Sequence, residues 1–97
     1  MPVQWTDEAK ANLRAIERYI AKDNPRAAAK TVLKIINRTN AQLAAYPSSG
    51  IAGRIAGTKE LIFLEFPYIV IYTLRDNTIS VITVFHAARN LVAADEA

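Results

Sequence analysis

The segment Tyr68–Phe85, YIVIYTLRDNTISVITVF, has the sequence pattern of two consecutive β-strands. Isoleucine and valine dominate both of its halves, and branched side chains of this kind favour strands. Asp76 and Asn77 separate the two halves, and both residue types tolerate the left-handed backbone of a tight turn. The stretch therefore predicts a β-hairpin with strands over Tyr68–Leu74 and Thr78–Phe85.

Two more strands and one long loop are expected outside this hairpin. Lys59–Phe66 reads as a strand and, with the hairpin, gives a three-stranded C-terminal meander. Val3–Trp5 is a short strand candidate near the start of the sequence. The segment Pro47–Thr58 is rich in glycine and serine, so it predicts a loop, and its length makes it the segment expected to be most mobile.

Two amphipathic helices are predicted between the first strand and the loop. The first covers Asp7–Lys22 after Thr6, a suitable N-cap, and its apolar residues recur at steps of four, three and four: Ala9, Leu13, Ile16 and Ile20. The second opens at Asn24-Pro25 and ends near Tyr46, before Pro47. The sequence thus predicts an α+β fold. It has an N-terminal strand and a two-helix hairpin packed on a mainly antiparallel sheet that the C-terminal meander completes.

The length and composition of the sequence exclude several classes of function. The 97 residues are enough for a single domain, 1–97, in which about residues 90–97 form a frayed tail after one helical turn that begins at His86. There is no cysteine, which excludes disulfides, cysteine-ligated metals and a thiol nucleophile. No apolar run approaches the ~18 residues of a membrane-spanning helix, and no signal peptide opens the sequence. We therefore expect a cytoplasmic protein with no cofactor, no metal and no membrane contact.

Basic residues recur at every fourth position of the two predicted helices. Residues 1–46 carry eight basic and four acidic side chains, whereas residues 47–97 carry four basic and five acidic ones. The recurring residues are Lys10, Arg14, Arg18, Lys22, Arg26, Lys30, Lys34 and Arg38. Such ridges could bind phosphates or an acidic peptide. They also lie opposite the apolar stripes, where solvated lysine and arginine are expected in any case.

Both faces of the predicted strands are apolar. Ile69 and Ile71 point to one face, and Tyr68, Val70 and Tyr72 point to the other. A helix hairpin covers only one face of such a sheet, so the second would be an exposed apolar patch of the kind that binds a partner. The alternative is that the loop, the tail and the tyrosines cover this second face.

Ionisable residues of the second half could form a site for RNA cleavage. Attack by a 2′-hydroxyl needs a base, an acid and cations that stabilise the phosphorane charge, but no metal. Histidine is the side chain best suited to exchange protons near neutral pH, and His86 is the only one here. The residues that could converge are Arg54, Lys59, Glu60, Tyr68, Tyr72, His86 and Arg89. The same residue types occur in many basic proteins, and Tyr72 fits a core position equally well.

Seven short motifs occur in an order that is characteristic of one superfamily. They are Trp5 with the acidic helix start, Tyr19-Ile20, Asn24–Ala28, Leu43–Pro47, Gly57–Leu61, Tyr68–Tyr72 and His86–Arg89. Each motif is weak by itself, but in this order and spacing, over residues 3–89, the sequence resembles the RelE/ParE toxin superfamily of bacterial type II toxin–antitoxin modules.

The resemblance implies one of two toxic activities. The RelE-like branch cleaves mRNA on the ribosome, and its members tend to place a basic residue just after the start of the central strand. Here Ile69 stands at that position, although Lys59 and His86 are retained as residue types. The ParE-like branch lacks nuclease residues and poisons DNA gyrase, and this sequence is closer to it. If the chain were instead a nuclease, its candidate catalytic residues would be His86, Arg89, Lys59, Arg54 and Tyr72.

The resemblance also implies a partner. A cognate antitoxin of this superfamily lies across its toxin as an extended or helical segment and forms a hetero-oligomer with it. An acidic amphipathic peptide would match both the apolar sheet face and the basic helices. The residues expected to contact it are Ile62, Leu64, Tyr68, Val70, Arg14 and Arg18. Growth arrest through gyrase is the expected outcome, and the alternatives are cleavage of mRNA at the ribosome or an inactive binding module of the same fold.

Overall fold

The computed structural model describes residues 1–88, which form two helices and five strands. In chain order these are β1 (Val3–Trp5), α1 (Asp7–Ala21), α2 (Pro25–Ala45), β2 (Ile51–Ala52), β3 (Lys59–Ile62), β4 (Tyr68–Arg75) and β5 (Thr78–His86). His86, the predicted start of the tail, is the last residue of β5. The predicted tail from Arg89 onwards lies outside the described residues. Within residues 1–88, neither helix is both long and apolar enough to cross a membrane.

Both helices begin where the sequence predicts, because side-chain caps satisfy their first amides. The Thr6 hydroxyl accepts a hydrogen bond from the Ala9 amide at 3.1 Å. The Asn24 side chain accepts one from the Ala27 amide, also at 3.1 Å, and Pro25 occupies the first turn. Because α1 ends at Ala21 and the Asn24 cap already starts α2, a short connection joins the helices and they pack as a hairpin.

The strands form one mixed sheet in the order β1-β5-β4-β3-β2. β1 runs parallel to β5, and every other neighbouring pair is antiparallel. Asp76 and Asn77, with φ of 49° and 59°, form the tight turn between β4 and β5 that the sequence predicts. The α+β class and the mainly antiparallel sheet are therefore confirmed.

Strand β3 is shorter than the prediction of Lys59–Phe66, because two phenylalanines must reach the same core. Phe63 and Phe66 are both buried on the helix side of the sheet, with ring centroids 4.9 Å apart. Residues three apart in a regular strand point to opposite faces. The chain therefore leaves the strand geometry after Ile62 and bends through residues 63–67. The two-residue strand β2, inside the predicted loop, was not predicted.

The main core lies between the helix hairpin and one face of the sheet. It joins Ala9, Leu13, Ile35 and Leu43 of the helices to Val70 and Tyr72 of β4, among others. Trp5 packs against this core, and its indole N–H donates to the Asn40 side chain at 3.0 Å. The sheet faces predicted for β4 are thus confirmed, with Tyr68, Val70 and Tyr72 beneath the helices.

The second sheet face is less open than the strand pattern predicts. Ile69, Ile71 and Phe85 form a small buried cluster there, and Ile82 packs against it. The guanidinium of Arg54 lies 4.8 Å from the centre of the Phe85 ring. Of the two alternatives for this face, cover by the loop is the one observed at these residues, because Arg54 lies over Phe85.

Candidate functional site

The candidate nuclease residues do not converge within the described part of the chain. In the strand register, Lys59 lies opposite Tyr72 and His86 lies opposite Tyr68. These positions are four residues apart along β4, which is about 13 Å of strand. Arg54 lies on the opposite face of the sheet, over Phe85. No point on the described surface is thus within reach of Lys59, His86 and Arg54 together, and Arg89 lies outside the described residues.

Tyr72 is bound to the loop rather than directed at a substrate. Its ring is fully buried in the main core. Its hydroxyl donates to the Pro47 carbonyl at 2.8 Å and accepts from the Gly50 amide at 3.0 Å. Burial raises the pKa of Tyr72 above its ordinary value, because the phenolate is poorly solvated there. Tyr72 therefore fixes the first part of the loop that the sequence predicts to be mobile.

Gly50 shows why this contact requires a residue without a side chain. A β-carbon at position 50 would come within 2.8 Å of the Tyr72 ring and hydroxyl, and within 2.9 Å of the Glu60 carbonyl oxygen. Such distances force either the ring or the strand to move. The spacing of Gly50 and Tyr72 is thus a packing requirement that strand periodicity alone does not reveal.

An ion pair between Glu60 of β3 and Arg54 holds the second part of the loop against the sheet. The Glu60 carboxylate is almost completely buried and accepts from both the backbone amide and the Nε of Arg54, at 2.9 and 2.8 Å. The hydrogen bonds from Arg54 hold the pKa of Glu60 below its ordinary value. The Arg54 guanidinium therefore binds a buried carboxylate and lies over the Phe85 ring. These two contacts support a structural role for Arg54.

His86 lies at the end of β5 in a partly open position. Its ring meets the Tyr68 ring edge-on, with centroids 5.3 Å apart, and its Nδ1 accepts from the Ala88 amide at 3.1 Å. The ring lines a small cleft with Tyr19 and Ile16 of α1. Both contacts orient the imidazole. Tyr68 is the one residue of the RNA-cleavage set that these contacts bring to His86 within the described residues, and neither contact links the imidazole to Lys59, Arg54 or Tyr72. Within residues 1–88, no three side chains are grouped so as to hold a metal ion.

A groove follows the unpaired edge of β3. Strand β2 pairs only with Glu60 and Lys59, so it leaves the outer edge of β3 uncovered beyond them. The groove has a volume of about 340 Å³. We call it the edge groove, and its lining includes Arg38 and Gln42 of α2, Ile51 of β2 and the segment Leu61–Glu65. An exposed sheet edge beside apolar side chains is a typical site for an extended peptide.

The residues expected to contact an antitoxin fall into three groups. Ile62 is 55% exposed and Leu64 is fully exposed, both at the edge groove. Val70 is fully buried beneath the helices, whereas Tyr68 is 6% exposed and lines the small cleft beside His86. Arg14 and Arg18 form the third group. They are exposed on α1, the helix that packs over β5.

The family of the chain follows from its sequence over almost its whole length. A family model described as the ParE toxin of the type II toxin–antitoxin system parDE matches residues 3–91. The chain belongs to the ParE toxin family. It is therefore a toxin of a type II toxin–antitoxin module, and a family of this kind implies an antitoxin partner.

Two relatives of this ParE-family toxin share about a third or more of its residues, and one of them is named RelE2. The protein Y4kP of Sinorhizobium fredii is 42% identical over 85 residues, which cover 88% of this chain and 86% of that protein. Toxin RelE2 of Caulobacter vibrioides is 34% identical over 87 residues, which cover 90% of this chain and 96% of that protein. The membership in the RelE/ParE superfamily is thus confirmed.

Solved structures share the fold. A chain of the chromosomal ParDE toxin–antitoxin system from P. aeruginosa superposes with a TM-score of 0.78 at 24% identity, covering 89% of this toxin and 95% of that chain. The isolated E. coli RelE toxin superposes with a TM-score of 0.60 at 14% identity, covering 96% and 90% respectively. The two structures represent both branches, so the fold by itself does not choose between them.

Sequence reasoning missed two parts of this surface. The edge groove exists because β2 pairs with only two residues of β3. No pattern in the sequence around Ile51–Ala52 predicts a strand of two residues. The Arg54–Glu60 pair had a weak signal, since two opposite charges lie on either side of Gly57 where the predicted loop meets the next strand. That signal could have indicated that the loop is tied to β3.

Proposed function

We propose that this ParE-family toxin arrests growth by inhibiting DNA gyrase and that it acts by binding, without chemistry of its own. The separation of the nuclease candidates carries this proposal. Cleavage of RNA needs a base, an acid and a cation around one phosphate. Lys59 and His86 lie about 13 Å apart along β4. Arg54 and Tyr72 are held by Glu60 and by the loop backbone.

The environment of Ile69 supports the same branch. This residue occupies the position at which the RelE-like branch tends to carry a basic side chain. Ile69 is buried, together with Ile71 and Phe85, in the cluster on the second sheet face. A charged side chain there would lose its hydration without gaining a partner in that cluster. The local packing therefore favours a toxin that does not bind a scissile phosphate at this position.

We further propose that the antitoxin binds in the edge groove and that the toxin works in the cytoplasm, where gyrase and the antitoxin are both present. Ile62 and Leu64 would be covered by apolar side chains of the antitoxin. Burial of an exposed leucine or isoleucine contributes about 1.5–3 kcal/mol each. Acidic side chains of the same antitoxin would reach Arg14 and Arg18 on α1.

Replacing Ile62 and Leu64 together with aspartate is expected to weaken the antitoxin complex tenfold or more. Both side chains are exposed, so the free energy of unfolding of the isolated toxin should change little. Titration calorimetry with the cognate antitoxin measures the affinity. Leu33→Asp is the matched control, since Leu33 is 57% exposed on α2, away from the groove. Equal weakening by the control would contradict the proposed site.

The function is tested by inducing the toxin in a bacterium that lacks the antitoxin while DNA and protein synthesis are pulse-labelled. We expect DNA synthesis to stop first, and His86→Ala to arrest growth as strongly as the unchanged toxin. Purified toxin should also inhibit gyrase in a supercoiling assay. Early loss of translation that His86→Ala abolishes would instead establish a ribosome-dependent nuclease. A folded toxin that arrests nothing would show an inactive binding module.

A further inference from the structure

Helix α2 carries basic side chains and no acidic ones. Its 21 residues contain neither aspartate nor glutamate. The four basic residues recur at every fourth position and are all exposed: Arg26, Lys30, Lys34 and Arg38. They lie opposite the buried side of the helix, which is formed by Ala28, Ile35, Thr39 and Leu43. The outer surface of α2 is thus a continuous row of positive charge.

This row does not stabilise the helix that carries it. Like charges four residues apart are neighbours on a helix surface and repel each other. Arg26 also lies in the first turn, where the helix dipole disfavours a positive charge, and the last turn has no basic residue. Arg38 pairs with Glu65 at 2.6 Å and lowers the pKa of that carboxylate, and the nearby charge of Lys34 lowers it further. Among the described residues, no ion pair engages Arg26, Lys30 or Lys34. The repulsion along the row opposes helix stability, which points to a role in binding.

The spacing of the three charges matches a regular line of negative charge. Each step of four residues advances about 6 Å along the helix, so Arg26, Lys30 and Lys34 span about 12 Å. One strand of duplex DNA presents a phosphate every 3.4 Å or so along its axis, which places several phosphates within that span. Lysine and arginine side chains are long enough to adjust to them individually.

The surroundings of the row favour nucleic acid over the antitoxin. The other exposed residues of this surface are mostly small or polar, and they include Ala29, Leu33, Asn37, Ala41 and Ala44. An amphipathic antitoxin segment needs an apolar strip to cover, and Leu33 alone does not provide one. The apolar side chains that suit such a segment lie at the edge groove instead.

We propose that the outer surface of α2 binds the phosphate backbone of duplex DNA through Arg26, Lys30 and Lys34. This inference rests on the proposed gyrase inhibition, since gyrase holds duplex DNA and a toxin bound to it would lie beside that DNA. Contacts to the phosphate backbone carry no sequence information. The surface therefore adds affinity for the gyrase–DNA complex irrespective of the DNA sequence.

The test measures binding of the purified toxin to a labelled 20-base-pair duplex by fluorescence anisotropy, without gyrase, between 50 and 200 mM salt. We expect binding that does not depend on the DNA sequence. The logarithm of its association constant should fall linearly with the logarithm of the salt concentration. Lys30→Gln/Lys34→Gln should weaken binding about tenfold or more at 50 mM salt and reduce the salt slope by roughly 1.8. Its thermal unfolding should occur at or above the temperature of the unchanged toxin, because a repulsive pair is removed.

A control with the same change in net charge separates this surface from a general charge effect. Lys59→Gln/Arg75→Gln removes two positive charges from the strands. If this control variant binds DNA within about threefold of the affinity of the unchanged toxin, the proposal is supported. If both double variants lose the same DNA affinity, the proposal is overturned. Absence of DNA binding at 50 mM salt overturns it as well, as does a lysine variant that binds DNA normally but loses the antitoxin.

Gyrase inhibition is measured separately, so that the two proposals can fail independently. If the lysine variant loses DNA binding and inhibits gyrase less than the control variant, the DNA contact belongs to the toxin's action. If it loses DNA binding but inhibits gyrase fully, the role at gyrase is overturned. A toxin that binds DNA through α2 without inhibiting gyrase overturns the proposed function and supports the DNA-binding surface.

Discussion

Replacing Tyr72 with alanine is expected to lower the free energy of unfolding by about 3–5 kcal/mol, the range for removal of a large aromatic side chain from a core. Tyr72 is fully buried among the residues that join the helices to the sheet. The change also removes the hydroxyl that binds the Gly50 amide and the Pro47 carbonyl. Urea denaturation followed by circular dichroism measures the loss.

Tyr72→Phe separates the ring from the hydroxyl. The ring remains in the core, and only the two hydrogen bonds to the loop are lost, which should cost about 1–3 kcal/mol. Hydrogen exchange of the Gly50 amide should accelerate in this variant, because its acceptor is gone. Unchanged stability together with unchanged protection of Gly50 would show that Tyr72 does not hold the loop. A loss below about 1 kcal/mol in Tyr72→Ala would contradict its place in the core.

Arg54→Ala is expected to destabilise the toxin by about 1–3 kcal/mol at neutral pH, because it leaves the buried Glu60 carboxylate without its guanidinium partner. The Glu60 side chain is 4% exposed and that of Arg54 is 40% exposed, so solvent screens one side of the pair and keeps the loss moderate. The backbone amide of residue 54 can still donate to Glu60.

The Arg54 effect should depend on pH in a defined direction. The folded state holds the pKa of Glu60 below its ordinary value of 4.5, so the folded chain binds that proton less readily than the unfolded chain. The stabilisation is therefore complete above about pH 5 and is lost as the pH falls through the lowered pKa. The difference between the unchanged toxin and Arg54→Ala should narrow toward pH 3.

A double-mutant cycle with Glu60→Gln provides the control for this pair. Once Glu60 is neutral, removal of the guanidinium should cost less, so the double variant should be more stable than the sum of the single effects indicates. Its stability should also vary less with pH between 7 and 3. A constant difference between the unchanged toxin and Arg54→Ala over that range would contradict the assignment to Glu60.

Local signals were sufficient for the helices and the β4–β5 hairpin. Thr6 and Asn24 mark the two helix starts by their side-chain chemistry, and Asp76-Asn77 marks the turn by its tolerance of positive φ. Each of these signals acts within a few residues, so the sequence alone reveals it. The resemblance over residues 3–89 added the superfamily, which the match over residues 3–91 confirms.

The candidate surfaces depend on contacts between residues that are distant in sequence. Nothing near Tyr72 shows that its hydroxyl reaches Pro47, 25 residues earlier. The early end of β3 follows from Phe63 and Phe66 sharing one core, which requires knowledge of where the helices lie. The exposure of Ile62 and the burial of Ile69 follow from the same arrangement, although both belong to similar apolar runs.

The parallel pairing of β1 with β5 has a consequence for the moment at which the sheet of the toxin is completed during synthesis. Val3–Trp5 finds its partner only at Ile79–Val81, so the sheet is incomplete until those residues have left the ribosome. Synthesis proceeds at about 5–20 residues per second, which delays closure by several seconds after β1 is made. A nascent chain therefore lacks its finished sheet during this interval.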